Sequence, residues 1–244
     1  MRTVAIMQPT YLPWLGYFDL MDQCDLFVLL DTVQFERRSW QQRNRIKTAQ
    51  GEGWLTVPVF SKGKRAQAIR EVRIDRSTDF HAQHLETIRH AYRKAPFFDP
   101  PYHELANLLR TPQVHLAELT IEVIGWFKQR LGITTELIRS SALEAEGKRI
   151  DLLVAICQAV GATRYLSPAG AHVYLEGSSS FEQAGIERCY HSYTHPQYRQ
   201  LFDGFLPYLS ALDVVFNEGE SSLSIIRSGR GLPAVQPATL HETS

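Results

Sequence analysis

The sequence predicts an α/β fold: a mostly parallel sheet flanked by helices, with a helical block in the middle of the chain. Three observations lead there. Short continuous apolar runs at residues 3–8, 26–30 and 164–167 have the length and composition of strands buried on both faces. Helical periodicity lies between them and is densest from residue 78 to residue 130, where Leu85, Ile88 and Tyr92, then Leu116, Leu119, Val123 and Phe127, recur at three- and four-residue intervals. The 244 residues, 44% hydrophobic and 21% charged, suffice for one sizeable core or two small ones.

Taken in order, residues 3–8 form a first strand, stopped by Pro9 because proline cannot donate to a central ladder. Residues 11–15 turn the chain into a helix over 16–23, with Phe18, Leu20 and Met21 at roughly helical spacing. Residues 26–30 are a second strand closed by Asp31. Strand, helix, strand is the unit of a parallel sheet. Residues 54–59 and 69–74 read as further strands, the second alternating with period two, before the helical block. Residues 136–139 are a strand, 148–160 an amphipathic helix, 164–167 a strand, 187–193 a last strand, and 210–216 a helix. The stretch after Gly229, rich in Gly, Pro, Ala and Thr, is expected to fray. The whole is Rossmann-like, with residues 1–78 and 134–229 as an α/β nucleotide-binding core, 79–133 as a helical insertion and 230–244 as a flexible tail. The strands ending near Gln8, Asp31 and Ser167 are expected side by side, their carboxyl ends on one cleft.

Charge and cysteine usage exclude several classes. Lys plus Arg equals Asp plus Glu at 26 each, so no global field draws the chain to DNA or to an anionic membrane, and any anion site is local. No apolar run approaches the roughly 18 residues of a membrane helix. Cys24, Cys157 and Cys189 are odd in number and far apart, which speaks against a disulfide framework or a zinc ribbon and for a reducing, cytoplasmic setting. His81 and His84 stand three apart on a predicted helix with no third ligand following; they read as surface residues, and no metal site is expected.

Open parallel sheets bind ligands beyond the carboxyl ends of their strands, and the candidate residues cluster there. In the first turn, from Gln8, Pro9 and Thr10 onward, Gly16 would let the backbone approach a ligand, and Trp14 and Tyr17 could stack on a base or bond a phosphate; a core Trp and a capping Gly explain the same residues. Arg37, Arg38, Arg43, Arg45 and Lys47, interleaved with Trp40, Gln41, Gln42 and Asn44, make a basic patch suited to phosphate, or else a solvated hairpin face. The loop YLSPAGAHVYL carries Ser167, Gly170 and His172; its small residues keep it thin, and His172 titrates near neutrality and could act as a general base. Ser178 to Ser180 fit a phosphate loop or a helix cap. Tyr190, His191, Tyr193, His195, Tyr198 and Gln200 could line a sugar site or pack at a strand end, and Asp213 and Asn217 either cap the last helix or face the cleft. No Gly-x-Ser-x-Gly elbow or Cys–His neighbour offers a nucleophile for covalent acyl transfer.

Two resemblances extend this reading. Pro9-Thr10, Gly16 and Gln34-Phe35 match in order the start of pantothenate synthetase, a nucleotidyltransferase-like enzyme that forms an amide; Trp14 and Tyr17 stand where that family has the two histidines of its ATP turn. Across nearly the whole chain, MQPTYLPWLGYF, RRSWQQRNRIKTAQGEGWLTVPV, YLSPAGAHVYL and FLPYLSALDVVFNEG resemble the WbqC-like family, bacterial proteins associated with surface-polysaccharide clusters. That resemblance implies a nucleotide-linked amino sugar as substrate and transfer of glycine to its amine, from glycine or glycyl-tRNA. The pantothenate synthetase likeness would add ATP with Mg, phosphate binding by Tyr17, Arg38, Arg43 and Lys47, substrate binding by Gln34, and His172 as base. Nucleotidyl transfer and a nucleotide-sugar-binding protein without chemistry are the alternatives.

Overall fold

The computed structural model describes residues 1–64, 66–168, 170, 178–232 and 234–235. In chain order these form β1 (Thr3–Met7), α1 (Leu15–Asp22), β2 (Leu26–Leu29), β3 (Arg43–Thr48), β4 (Gly51–Thr56), α2 (Phe80–Tyr92), α3 (Pro101–Arg110), α4 (Leu116–Leu131), β5 (Glu136–Arg139), α5 (Ile150–Ala159), β6 (Arg164–Ser167), α6 (Ser180–Gln183), β7 (Glu187–Tyr190), α7 (Leu212–Glu218), α8 (Ser222–Ser228) and β8 (Ala234–Val235). The main sheet runs β5-β2-β1-β6-β7-β8, its first five strands parallel and the edge strand β8 antiparallel. This is the Rossmann-like α/β arrangement, and β2, β1 and β6 lie side by side.

Alternation along each strand builds a core on both faces. Ala5, Phe27, Leu29, Leu166 and Cys189 face one cluster, with the buried residues of α1 to α4, α7 and α8. Val4, Ile6, Leu26, Val28, Tyr165 and Tyr190 face the other, covered by α5 and by Phe181 of α6. Caps define the helix ends. Asp79 accepts from the Ala82 amide at 3.0 Å to start α2, and Gly132, at φ 72°, ends α4 in the left-handed conformation open to glycine. The Asp31 carboxylate accepts from Ser140 Oγ, the Ser141 amide and Ser141 Oγ at 3.0, 3.0 and 2.7 Å, which ties the end of β2 to the turn after β5.

Two expected strands change character. Residues 69–74 hold a 3-10 turn at Ile69–Glu71 instead, because the Ile69 and Arg70 amides donate to Val33 and Asp31 carbonyls in a connecting loop and Glu71 folds back on the Ala68 amide. Residues 54–59 contribute to β4, but β4 pairs with β3 in a separate two-stranded hairpin outside the main sheet. The last strand stops at Tyr190 rather than 193. Of the stretch after Gly229, residues 230–232 and 234–235 are described: the Gly231 amide donates to the Ser192 carbonyl, Tyr193 bridges Arg230, and Ala234–Val235 pair with β7. Among the described residues no helix is long and apolar enough to cross a membrane.

Candidate functional site

Strand order reverses direction between β1 and β6, so the crevice at their carboxyl ends is the topological switch point, where open sheets bind ligands. A cavity of about 380 Å³ opens there, lined by Met7, Thr10, Trp14, Tyr17, Trp40, Asn44, Arg45 and Tyr208. Its first wall is the loop after β1. The Tyr11 amide donates to the Trp40 carbonyl at 3.0 Å, and Asn44 Nδ2 donates to the Leu12 carbonyl at 2.6 Å, which holds Leu12 at φ 49°. Gln41 Nε2 donates to Gln8 Oε1 at 2.7 Å. The Tyr17 hydroxyl donates to the Gln8 carbonyl at 3.3 Å, and burial holds its phenol well above the ordinary range, so it stays protonated near neutrality. The Trp14 indole lies flat over Gly16, where any Cβ would collide with it. Gly16→Ala is therefore expected to displace the indole and shift its fluorescence, while overall stability changes by less than about 1 kcal/mol because alanine favours the helix; an unchanged spectrum would separate Gly16 from the site.

The lip is aromatic and cationic. Trp40 and Trp54, 48% and 46% exposed, stack at 5.6 Å; the Arg43 guanidinium sits 4.4 Å from the Trp54 ring centroid and that of Arg45 5.5 Å from Trp40. Arg45 also reaches Glu52 at 2.6 Å. Behind Trp14, His195 stacks at 6.3 Å and its Nε2 accepts from the Tyr208 amide; burial pushes this imidazole down to about 4, so it is neutral near pH 7. Tyr193 meets the Trp14 indole edge-on at 5.7 Å and stacks on His191 at 5.8 Å. His191 Nε2 is 2.7 Å from the buried Asp19 carboxylate.

The WbqC-like protein family profile matches residues 8–225, which include every cavity-lining residue except Met7. The chain belongs to the WbqC-like protein family. It is also 36% identical over 229 residues to the uncharacterized protein Rv1507c of Mycobacterium tuberculosis, covering 93% of this chain and 98% of that protein. No solved structure matches the chain.

Within the WbqC-like motifs the expected site residues divide. Thr10, Trp14, Tyr17, Trp40 and Asn44 meet at the cavity; Met7, Arg45 and Tyr208 join them, Met7 from the end of β1 and Tyr208 from the FLPYLSALDVVFNEG motif. Gln8 and Gly16 support the wall from behind, Pro9 is buried after β1 and does not line the cavity, and Arg43 stands on the lip. Lys47 is corrected: it is 2% exposed and its Nζ donates to the Phe202 and Gly204 carbonyls, so the ammonium is used inside the protein and not offered to phosphate. Arg38 is exposed at φ 60°, its amide bound to Gln42 Oε1, and Gln34 is exposed beside Ala68; neither lines the cavity. Ser167 is buried at the end of β6 and Gly170 exposed beyond it, whereas His172 lies outside the described residues. Asp213 and Asn217 are internal. Tyr92 donates to Asp213 Oδ1 at 2.9 Å, Asn217 Nδ2 donates to the Asp213 carbonyl at 2.7 Å, and burial pushes the Asp213 carboxyl up to about 6 against the pull of Tyr92, Tyr198 and Lys47.

His84 is a further correction. It is buried, 2.9 Å from the Tyr11 hydroxyl and against Phe80, so the periodicity that put it on a helix placed it on that helix's inner face. Among the described residues no group of three His, Cys, Asp or Glu side chains could hold a metal ion. The positions corresponding to the two pantothenate synthetase histidines hold an indole packed on Gly16 and a buried phenol, and neither offers ATP phosphates a donor of that kind.

Proposed function

We propose that this WbqC-like protein transfers a glycyl group to the amine of a nucleotide-linked amino sugar, forming an amide, as a step in making surface polysaccharide. The observation that carries the reading is the cavity at the switch point. Its volume suits a sugar, Trp14, Trp40 and Tyr208 offer flat faces to the C–H side of a pyranose, and Arg45 with Arg43 on the lip offers paired N–H donors to a diphosphate. An apolar wall with few polar groups is the pattern of small-molecule sites. The protein would then act mainly by holding the amine against an activated glycyl carbonyl, since register alone can supply several kcal/mol of such a barrier. A proton acceptor is also required, and His172, five residues past Ser167 at the end of β6, is the candidate that the sequence offers.

The test is a thermal-shift and calorimetric screen of UDP- and dTDP-linked amino sugars, followed by mass spectrometry of the bound sugar after incubation with glycine and ATP or with glycyl-tRNA. One added glycyl residue is expected. A sugar that binds and is never acylated would leave a nucleotide-sugar-binding protein. Arg45→Ala should weaken binding of the nucleotide sugar about 10- to 100-fold, the loss of one or two charge-assisted hydrogen bonds. The fold should persist, because the partly exposed pair with Glu52 contributes little to stability. Unchanged affinity would remove the lip from the phosphate reading.

A further inference from the structure

The parity of the strands sends one titratable pair to the crevice. The His191 amide donates to the Ser167 carbonyl at 2.8 Å, which extends the β7 ladder by one residue, and its side chain follows Cys189 to the face covered by α1. Continuing the β1–β6 and β6–β7 registers brings Met7, Pro168 and His191 level across the sheet, so His191 stands two strand spacings, about 10 Å, from the cavity-lining Met7. Asp19, on α1, is fully buried and accepts from three donors: His191 Nε2 at 2.7 Å, Gln23 Nε2 at 2.6 Å and Arg230 Nε at 2.9 Å. A carboxylate can only accept, so Nε2–H is the donor to Asp19 and Nδ1 is the ring nitrogen that Asp19 does not engage.

A second observation marks the same place. The Tyr193 ring stacks on the His191 imidazole at 5.8 Å and 14°, and it meets the cavity wall Trp14 on its other side, yet its buried hydroxyl has no hydrogen-bond partner among the described residues. Buried polar groups are nearly always paired, so an orphaned hydroxyl beside an oriented imidazole calls for a polar ligand.

Resting on the amide-forming reading, we propose that His191, oriented by Asp19, is the proton acceptor for the sugar amine, and that the Tyr193 hydroxyl donates to the acyl oxygen. The amine nitrogen attacks the glycyl carbonyl carbon and forms the C–N bond. The C–O bond to the leaving oxygen, a phosphate or a ribose ester of the activated glycyl donor, breaks. The amine proton passes to His191 Nδ1 and from there to the leaving oxygen. Asp19 holds the ring through Nε2 and balances the imidazolium that forms.

The experiment compares wild type, His191→Gln, Asp19→Asn, Tyr193→Phe and His172→Ala on a panel of UDP- and dTDP-linked amino sugars, with near-UV circular dichroism as the check on fold. His191→Gln should lower turnover about 100- to 10,000-fold with the dissociation constant of the sugar unchanged, and Asp19→Asn should lower it too by releasing the tautomer. If wild type acylates no sugar, the amide reading falls; if wild type acylates and His191→Gln keeps its rate while His172→Ala loses it, only the assignment of the base falls. Should the buried variants misfold, nitrogen-15 NMR of histidine-labelled wild type decides. His191 is expected as the Nε2–H tautomer with an Nδ1 signal that moves when nucleotide sugar is added. A protonated Nδ1, or a signal indifferent to the sugar, overturns the proposal.

Discussion

Lys47→Ala is expected to lower stability by about 3–5 kcal/mol, the range for removing one partner of a buried charge arrangement. The side chain is 2% exposed, and its ammonium donates to two carbonyls, Phe202 and Gly204, of the loop that covers it. Its charge also steadies Asp213, whose carboxyl burial has already pushed up to about 6. The Lys47 amide donates to the Tyr92 hydroxyl oxygen at 3.0 Å, and that hydroxyl in turn donates to Asp213, so the Lys47 backbone and side chain both serve the surroundings of that carboxylate. Lys47→Met keeps most of the stem volume and should recover part of the loss. Urea denaturation measures both. A loss below about 1 kcal/mol for Lys47→Ala would mean that the ammonium reaches solvent, as an exposed charge does, and would return Lys47 to the phosphate site.

Acid should destabilise the protein through His84. Burial pushes this imidazole down to about 4 from an unfolded value of 6.5, with the Thr56 carbonyl acting weakly in the other direction. Below pH 6.5 the unfolded chain takes up a proton that the folded one refuses. The stability that His84 contributes is thus complete above pH 6.5 and drains away toward pH 4, by about 3 kcal/mol in total. His84→Gln lacks this proton, so the stability difference between wild type and variant should shrink by that amount over the same interval. Asp213 runs oppositely. Its raised carboxyl binds a proton in the folded state first, so its contribution is present below pH 3.8 and is lost as pH rises through about 6. Denaturation curves of wild type, His84→Gln and Asp213→Asn from pH 4 to 7 separate the two; parallel curves for wild type and His84→Gln would show that His84 titrates normally.

The alternation of β3 shows how far the sequence reads. Arg43, Arg45 and Lys47 are two residues apart and share one face of the strand, which any period-two reading recovers, and to that reading the three cations look equivalent. They are not equivalent once the chain folds, because the loop at residues 202–204 covers the far end of the face and turns Lys47 inward, while the near end stays open against Trp54 and Trp40. His84 repeats the lesson. Its helix was legible, yet the spacing that suggested a solvent-facing pair placed it against Tyr11, a contact 73 residues away.

By itself the sequence determined the α/β class, the adjacency of β2, β1 and β6, the helical stretch between β4 and β5, and the family, because each of these follows from local apolar periodicity or from contiguous motifs. The tertiary structure alone decided which of the clustered arginines, lysines and histidines face a ligand. It also alone joined Asp19 to His191 across 172 residues of chain, and laid Trp14 over Gly16 at the cavity wall. The reason is physical: periodicity is a property of a few neighbouring residues, whereas burial and hydrogen-bond partnership depend on which distant segment covers a side chain, and no local pattern carries that information.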